Sequence, residues 1–361
     1  MTKKFLWQMP IFALMAALLL AGQTAVATEA QYQALYKAAK KDGAANWYYA
    51  WPTSLGRLVM NAFEKKYPGI KVNAFRSGSS KVAAKIDAEV QGGKILADVM
   101  TITEESIFRD FKKRGILEAY KPPDFDKFHP KYRDADGYWL TPRVVTVGLW
   151  YNVERLKKLN LPPPTSWLDL INPIYKGEII MGSPLYSGTW SSLVGAFSQM
   201  KGFGWEYFEK MAANDPLLIP DNPDIVRAVA AGQRAVAGGI LGYISIHPLY
   251  PKGSVQIVNP KEGMLVIQSA AGLIANRPHK DGGKLYQAFL TSIDVANIIR
   301  TAKYLTGRID VAPPEGMPEA NPAIFPDVEF IGKNKLLIRR KWTEITRGWK
   351  KRPKRKKKKK K

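Results

Sequence analysis

The chain has 361 residues, 46% hydrophobic and 11% aromatic, which is enough for two domains with separate cores and too apolar for a disordered chain. It contains no cysteine, which excludes disulfides, thiolate metal sites and a cysteine nucleophile. The net charge of +24 is uneven: residues 350–361 hold eleven Lys or Arg and no acid, leaving +13 on the rest, a charge that steers anions without choosing among them.

In chain order, residues 1–27 come first. Lys3 and Lys4 precede the apolar run Ile11–Ala21, and Ala25-Val26-Ala27 supplies small residues. This is the three-part layout of a secretory signal peptide, so the mature chain is expected to start near Thr28 and to work in the periplasm. Without Lys3 and Lys4 the body keeps about +11. Gln31–Lys41 then reads as a helix and Ala45–Ala50 as a strand. Ser54 is suited to cap a helix that puts Leu55, Leu58, Val59, Ala62 and Phe63 on one face, and Pro68-Gly69 stops it. The strand Ile70–Phe75, a helix after Gly78-Ser79-Ser80, the strand Ala97–Ile102 and a helix over Glu105–Arg114 continue the alternation. That rhythm predicts an α/β chain with a mainly parallel sheet covered on both faces.

Residues 120–142 read as surface loop, Arg143–Trp150 as a strand and Val153–Leu159 as a helix. A stiff Leu161–Pro164 stretch, a short helix at Trp167–Ile171, a strand at Glu178–Met181 and a helix at Gly188–Met200 follow. Helices are expected at Trp205–Ala213 and Pro223–Ala237, and strands at Ile240–Ile244 and Val255–Val258. Leu265–Ala275 is apolar, and helices at Lys284–Ser292 and Val295–Lys303 complete the pattern. Residues 350–361 form a low-complexity cationic tail.

The order of several landmarks resembles the periplasmic solute-binding proteins of the ferric-iron, phosphonate and sugar-phosphate importer group. They are Ala88-Glu89 through Ala97-Asp98-Val99, Gly115-Ile116-Leu117, Gly148–Leu156 with Tyr151-Asn152, Pro162–Asp169 before Tyr175-Lys176-Gly177, Ser187-Gly188-Thr189, and Gly307–Val311. The resemblance covers roughly residues 28–330. It implies the type II periplasmic binding protein fold: two Rossmann-like lobes with a cleft between them. The boundaries it suggests are a signal peptide at 1–27, a discontinuous first lobe of 28–146 plus 272–349, a second lobe of 147–271, and the tail at 350–361. It also places the first crossing near Val145–Leu149 and the return near Val266–Leu273.

In such folds ligands sit beyond the carboxyl ends of the strands, where helix amino-termini offer N–H groups and partial positive charge. Candidate ligand contacts are therefore Trp51, Thr53 and Ser54 after the first strand, Ser79 and Ser80 after the second, and Thr103 after the third. Arg143 is suited to a bidentate grip on an anion, and Ser187, Gly188 and Thr189 form the strongest helix start. Tyr243 is a further cleft candidate. Each has a plain alternative: a helix cap, a surface ion pair or a strand aromatic.

For iron, members of the resembled group use adjacent tyrosines. Here Tyr243 stands alone, so a ferric site would have to draw on Tyr243, His247 and Glu104. Tyr48 and Tyr49 are adjacent, but a strand points neighbours to opposite faces. The three histidines, His129, His247 and His279, have no metal spacing, and His129 and His279 are expected to be exposed.

No nucleophile elbow, phosphate-binding loop or dinucleotide fingerprint occurs. The expectation is a monomeric, non-enzymatic binding protein without a cofactor. It would capture a small anion such as a phosphonate, phosphorylated compound or carboxylate by hinge closure and deliver it to an ABC permease in the inner membrane. Alternatives are a ferric-iron binder, with iron(III) as transported ligand, an extracytoplasmic hydrolase, and a polyanion or membrane-surface binder acting through the tail. The export signal and the lack of aromatics within the tail speak against nucleic acid as a partner.

Overall fold

A computed structural model describes residues 28–220, 222–241, 254–315 and 322–347. The expected leader, Tyr243, His247 and the cationic tail lie outside the described residues.

Helix α1 (residues 28–39) leads to β1 (Ala44–Tyr49), α2 (Thr53–Lys66), β2 (Lys71–Arg76), α3 (Ser79–Gln91), β3 (Val99–Ile102), α4 (Glu105–Lys113) and β4 (Leu117–Glu118). Strand β1 is flanked by β2 and β3, both parallel to it, as the alternating pattern predicts. Its side chains alternate as the pleat requires. Trp47 and Tyr49 point one way, with rings stacked 3.9 Å apart, and Trp47 packs on Tyr286. Tyr48 points the other way, towards Phe75 and Glu89.

The chain then runs through β5 (Leu140–Asn152), α5 (Val153–Leu159), β6 (Ile179–Met181), α6 (Gly188–Phe197), α7 (Gly204–Ala213), β7 (Leu217–Leu218), α8 (Asn222–Ala230), β8 (Val236–Leu241), β9 (Val255–Val258) and β10 (Met264–Ile274). It ends in α9 (Lys280–Leu290), α10 (Ile293–Thr301), β11 (Ala323–Ile324), α11 (Val328–Lys333) and α12 (Lys335–Thr346). Strands β6, β7 and β8 form a second parallel group.

The two groups are joined through the long antiparallel pair β5 and β10, aligned from Leu265–Val147 to Ala271–Leu140. The order is β2-β1-β3-β10-β5-β8-β6-β7. The loop expected over 120–142 therefore yields its last three residues to β5. Thr141, Arg143 and Val145 are buried there, with β10 along one edge and Leu305 bridged to Val144 on the other.

One element departs from expectation. The helix foreseen over 223–237 ends at Ala230, and 236–241 is strand. The run is rich in alanine, which favours helix, but the edge of β5 takes residues 236–241 as a strand, and tertiary pairing overrides propensity. Gly232 has a φ of 68° and turns the chain between the two. The carboxyl-terminal helix also crosses the expected division. Trp342 of α12, in the stretch expected to belong to the first lobe, packs on Trp190 and Phe208 of the second group.

Helix α3 is fixed at its end by Glu89. This buried carboxylate accepts from the Tyr48 hydroxyl (2.7 Å), Lys85 Nζ (2.9 Å) and the Leu96 and Ala97 N–H groups (2.9 and 3.2 Å). Burial pushes its pKa up, but those four donors together outweigh burial and hold it below the ordinary 4.5. The resulting stability is present above pH 4.5 and is lost as the pH falls through the depressed folded-state value. Glu89→Gln is expected to cost about 1–3 kcal/mol at neutral pH. Melting temperatures from pH 7 down to about pH 3 should fall less steeply in this variant than in the parent. Parallel curves would show that Glu89 does not hold the proton linkage.

Candidate functional site

The carboxyl ends of β1, β2 and β3 face those of β6 and β7 across a cavity of about 270 Å³. From the first group come Ala50 and Pro52 after β1, Arg76, Ser77, Gly78 and Ser79 where β2 passes into α3, Lys81, and Thr103 after β3. From the second come Tyr186, Ser187, Gly188 and Thr189 at the start of α6, Pro220 after β7, and Asn222 at the start of α8. Arg143 of β5 closes the floor.

The helix starts are open towards this space. Neither α3 nor α6 has a side-chain cap. The Ser79 hydroxyl instead lies 3.1 Å from Thr103 Oγ1 and accepts the Thr103 N–H at 3.2 Å. Ser187 Oγ and Thr189 Oγ1 lie 3.4 and 3.5 Å from the Asn222 side-chain amide. Gly78 and Gly188 allow the two sides to meet. A Cβ on Gly78 would stand 2.6 Å from the Tyr186 carbonyl oxygen, and one on Gly188 would stand 2.9 Å from both Ser79 Oγ and Thr103 Oγ1.

Arg143 is packed against two aromatic rings. Its guanidinium lies 5.4 Å from the Trp51 ring and 5.0 Å from the Tyr304 ring, only 2% of the residue is exposed, and Nη2 donates to Ser269 Oγ at 3.4 Å. Trp51 Nε1 donates to the same oxygen at 2.8 Å. Arg76 Nε donates to the Trp51 carbonyl at 3.3 Å. Among the described residues the lining thus carries three cations, Arg76, Lys81 and Arg143, several hydroxyls and no carboxylate. Such a wall offers charge-assisted hydrogen bonds to an oxyanion and repels a metal cation.

Of the residues singled out in the sequence, Ser79, Thr103, Arg143, Ser187, Gly188 and Thr189 line this cavity together. Trp51 lies behind it, fully buried as the surface on which Arg143 stacks. Thr53 and Ser54 stand outside the lining and are exposed, because α2 starts at Thr53 with Pro52 before it, one residue ahead of the cap expected at Ser54. Ser80 turns away to Glu104 Oε2 (3.3 Å), since consecutive helix residues point in different directions. Glu104 is buried and paired with Lys335 Nζ at 2.8 Å, so its carboxylate is occupied by an ammonium.

Tyr48 and Tyr49 point to opposite faces, and burial, acting first in both, raises their pKa, which disfavours phenolates. Among the described residues no group of three or more His, Asp or Glu is arranged to hold a metal. His279, expected to be exposed, bonds instead to buried Asp98 at 2.8 Å.

Arg76, Ser77, Lys81, Tyr186 and Asn222 were not foreseen. Arg76 obeys the strand-end rule that marked its neighbours, whereas Lys81 reads as an ordinary helix-surface lysine.

The family model for bacterial extracellular solute-binding proteins matches residues 94–334. A relative in Sinorhizobium fredii, called "Probable ABC transporter periplasmic-binding protein y4fP", is 24% identical over 245 residues, which is 65% of this chain and 66% of the relative. The match therefore spans just under two thirds of that protein. Two solved structures superpose along almost their whole length. The periplasmic binding protein AfuA of Actinobacillus pleuropneumoniae, with exogenous fructose-6-phosphate bound, has a TM-score of 0.74 at 22% identity, covering 84% of this chain and 99% of that one. Iron-bound HitA of Pseudomonas aeruginosa has a TM-score of 0.71 at 20% identity with the same coverage. The fold is thus that of the type II periplasmic binding proteins, two α/β lobes around a cleft.

Proposed function

Since the chain belongs to the bacterial extracellular solute-binding protein family, we propose that it captures a small phosphorylated or otherwise anionic solute outside the cytoplasm. It then presents that solute to the permease of an ABC importer. The observation that carries this reading is the cavity wall: three cations beside uncapped helix starts. An oxyanion placed there meets Arg143 from the floor, Arg76 and Ser79 from one side, and Ser187 and Thr189 from the other. Because its partners come from both strand groups, binding energy favours the arrangement in which they approach, and hinge closure follows from that preference. The relative from Sinorhizobium, by its name, supports the importer role, and the fructose-6-phosphate bound to AfuA supports the solute class.

In this reading the protein acts as a monomer in the periplasm and binds rather than transforms. The Ser79 and Thr103 hydroxyls pair with each other and those of Ser187 and Thr189 with Asn222, and among the described residues neither a histidine nor a carboxylate lines the cavity to serve as a base. No cofactor is needed. Iron(III) as cargo is the competing reading, supported by iron-bound HitA.

Calorimetric titration with fructose 6-phosphate, unphosphorylated fructose and ferric citrate separates the two. The phosphorylated sugar, or inorganic phosphate at lower affinity, is expected to bind, and fructose is not. Equal affinity for fructose, or a visible absorption band on adding iron, would overturn the anion assignment.

A further inference from the structure

We infer that Ser269, a buried serine of β10, is the positioning residue that sets the Arg143 guanidinium for the solute, an inference that rests on the anion-capturing reading of the cavity. The strand that carries Arg143 is irregular beside it. Pro142 has no N–H to give to a ladder, so within a sheet it is confined to an edge or a bulge. Here a bulge forms. Ser269 stands opposite Arg143 and Ala271 opposite Leu140, so Thr141 and Pro142 together face the single residue Ala270. Such a bulge bends its strand and re-aims the side chain next to it. Thr141 Oγ1 donates to Gln268 Oε1 at 2.7 Å and pins the bulge to β10.

The Trp51 and Tyr304 rings attract the re-aimed guanidinium, but attraction to a ring face sets direction less sharply than a hydrogen bond does. The Ser269 hydroxyl supplies that direction. It accepts from Arg143 Nη2 at 3.4 Å and from Trp51 Nε1 at 2.8 Å, so one oxygen places both the cation and one of its rings. A side chain as short as serine reaches because residues directly opposite in an antiparallel pair bring their Cβ atoms within about 5 Å. Ser269 itself stands outside the cavity lining, one layer behind it, as Trp51 does. The next residue along β10, Ala270, is opposite Ile102, which precedes cavity-lining Thr103. Ser269 therefore sits where the strands that join the two groups meet the floor of the cavity. Its full burial keeps water from replacing the acceptor it gives to a charged donor.

The test is a double-mutant cycle between Ser269 and Arg143 in the full-length protein, read with and without solute. Ser269→Ala removes the acceptor, and Ser269→Cys keeps a side chain of similar shape with only a weak acceptor. With fructose 6-phosphate as the probe in titration calorimetry, each is expected to weaken binding roughly tenfold, the worth of a modest hydrogen bond to a charged group. In the Arg143→Met background neither should weaken it further by more than about twofold. A serine that merely supports the fold would lower affinity equally in both backgrounds. Without solute, Ser269→Ala should lower the melting temperature more beside Arg143 than beside methionine, because only the arginine is left as a buried charge short of an acceptor. Equal losses in the two backgrounds, or full affinity in Ser269→Ala, overturn the inference. Failure of the parent itself to bind fructose 6-phosphate or inorganic phosphate, with the solute-free coupling intact, counts against the anion reading alone and leaves Ser269 as the residue that sets Arg143.

Discussion

Replacing Arg143 by methionine is expected to weaken binding of a phosphorylated solute by about 100-fold or more while leaving the solute-free protein as stable as the parent, or more so. The two halves of this result have separate causes. In the free protein Arg143 is 2% exposed and lies between Trp51 and Tyr304. A cation there keeps the desolvation cost of its charge, and an apolar side chain of similar length removes that cost while filling the same slot. In the complex the guanidinium offers a planar, charge-assisted grip on an oxyanion, and losing one partner of a buried charged contact costs about 2–5 kcal/mol. Arg143→Lys should not restore affinity, because an ammonium is not a planar fork and does not donate in parallel. Titration calorimetry and thermal melting with and without the solute measure both halves. Wild-type affinity in the methionine variant would remove Arg143 from the site, and a large drop in the melting temperature of the free protein would make its role structural.

How far the site was legible follows from where each residue sits relative to an element boundary. Ser79, Thr103 and Ser187 stand where a strand ends or a helix begins, and glycine beside hydroxyl is a signal that a linear pattern carries. Arg76 stands at the end of β2 and belonged to the same rule, but nothing in its immediate sequence distinguishes it from a surface arginine. Asn222 and Tyr186 reach the cavity from segments whose course is set by the packing of α6 against β8 and the carboxyl-terminal helices, which no local pattern encodes.

The misplaced candidates fail for equally local reasons. Ser80 is one helical step from Ser79, and that step turns it to Glu104. Trp51 is a candidate for the cleft from its place after the first strand, yet its ring serves as the backing of Arg143 rather than as cavity wall. The fold was more legible because the alternation of helix and strand needs only periodicity. The helix expected over 223–237 was overrun because the strand slot beside β5 is a tertiary fact.

Gly188→Val is expected to lower solute affinity by roughly 10- to 100-fold without removing any polar group. The backbone at Gly188 does not need glycine's conformational freedom, since its φ is not among the positive ones. The constraint is space. A Cβ would stand 2.9 Å from Ser79 Oγ, 2.9 Å from Thr103 Oγ1 and 3.1 Å from Ser79 Cβ. These atoms have little room to give, because both residues are buried and their hydroxyls hold one another at 3.1 Å. Overpacking of this kind costs about 1–3 kcal/mol. Here it bears on the contact between α6 and the start of α3, and hence on the arrangement in which both sides grip the solute at once. The variant should therefore shift the population away from that arrangement, lowering affinity by the same free energy, at about 1.4 kcal/mol per tenfold. Gly188→Ala should show a smaller loss. Ser79→Gly in the Gly188→Ala background should recover part of it, because removing the Ser79 side chain deletes two of the three nearest atoms. A double-mutant cycle measured by calorimetry reads that coupling directly. Affinity unchanged by valine, or strictly additive losses in the cycle, would mean that the solute is held with α6 and α3 apart and that their close approach plays no part in capture.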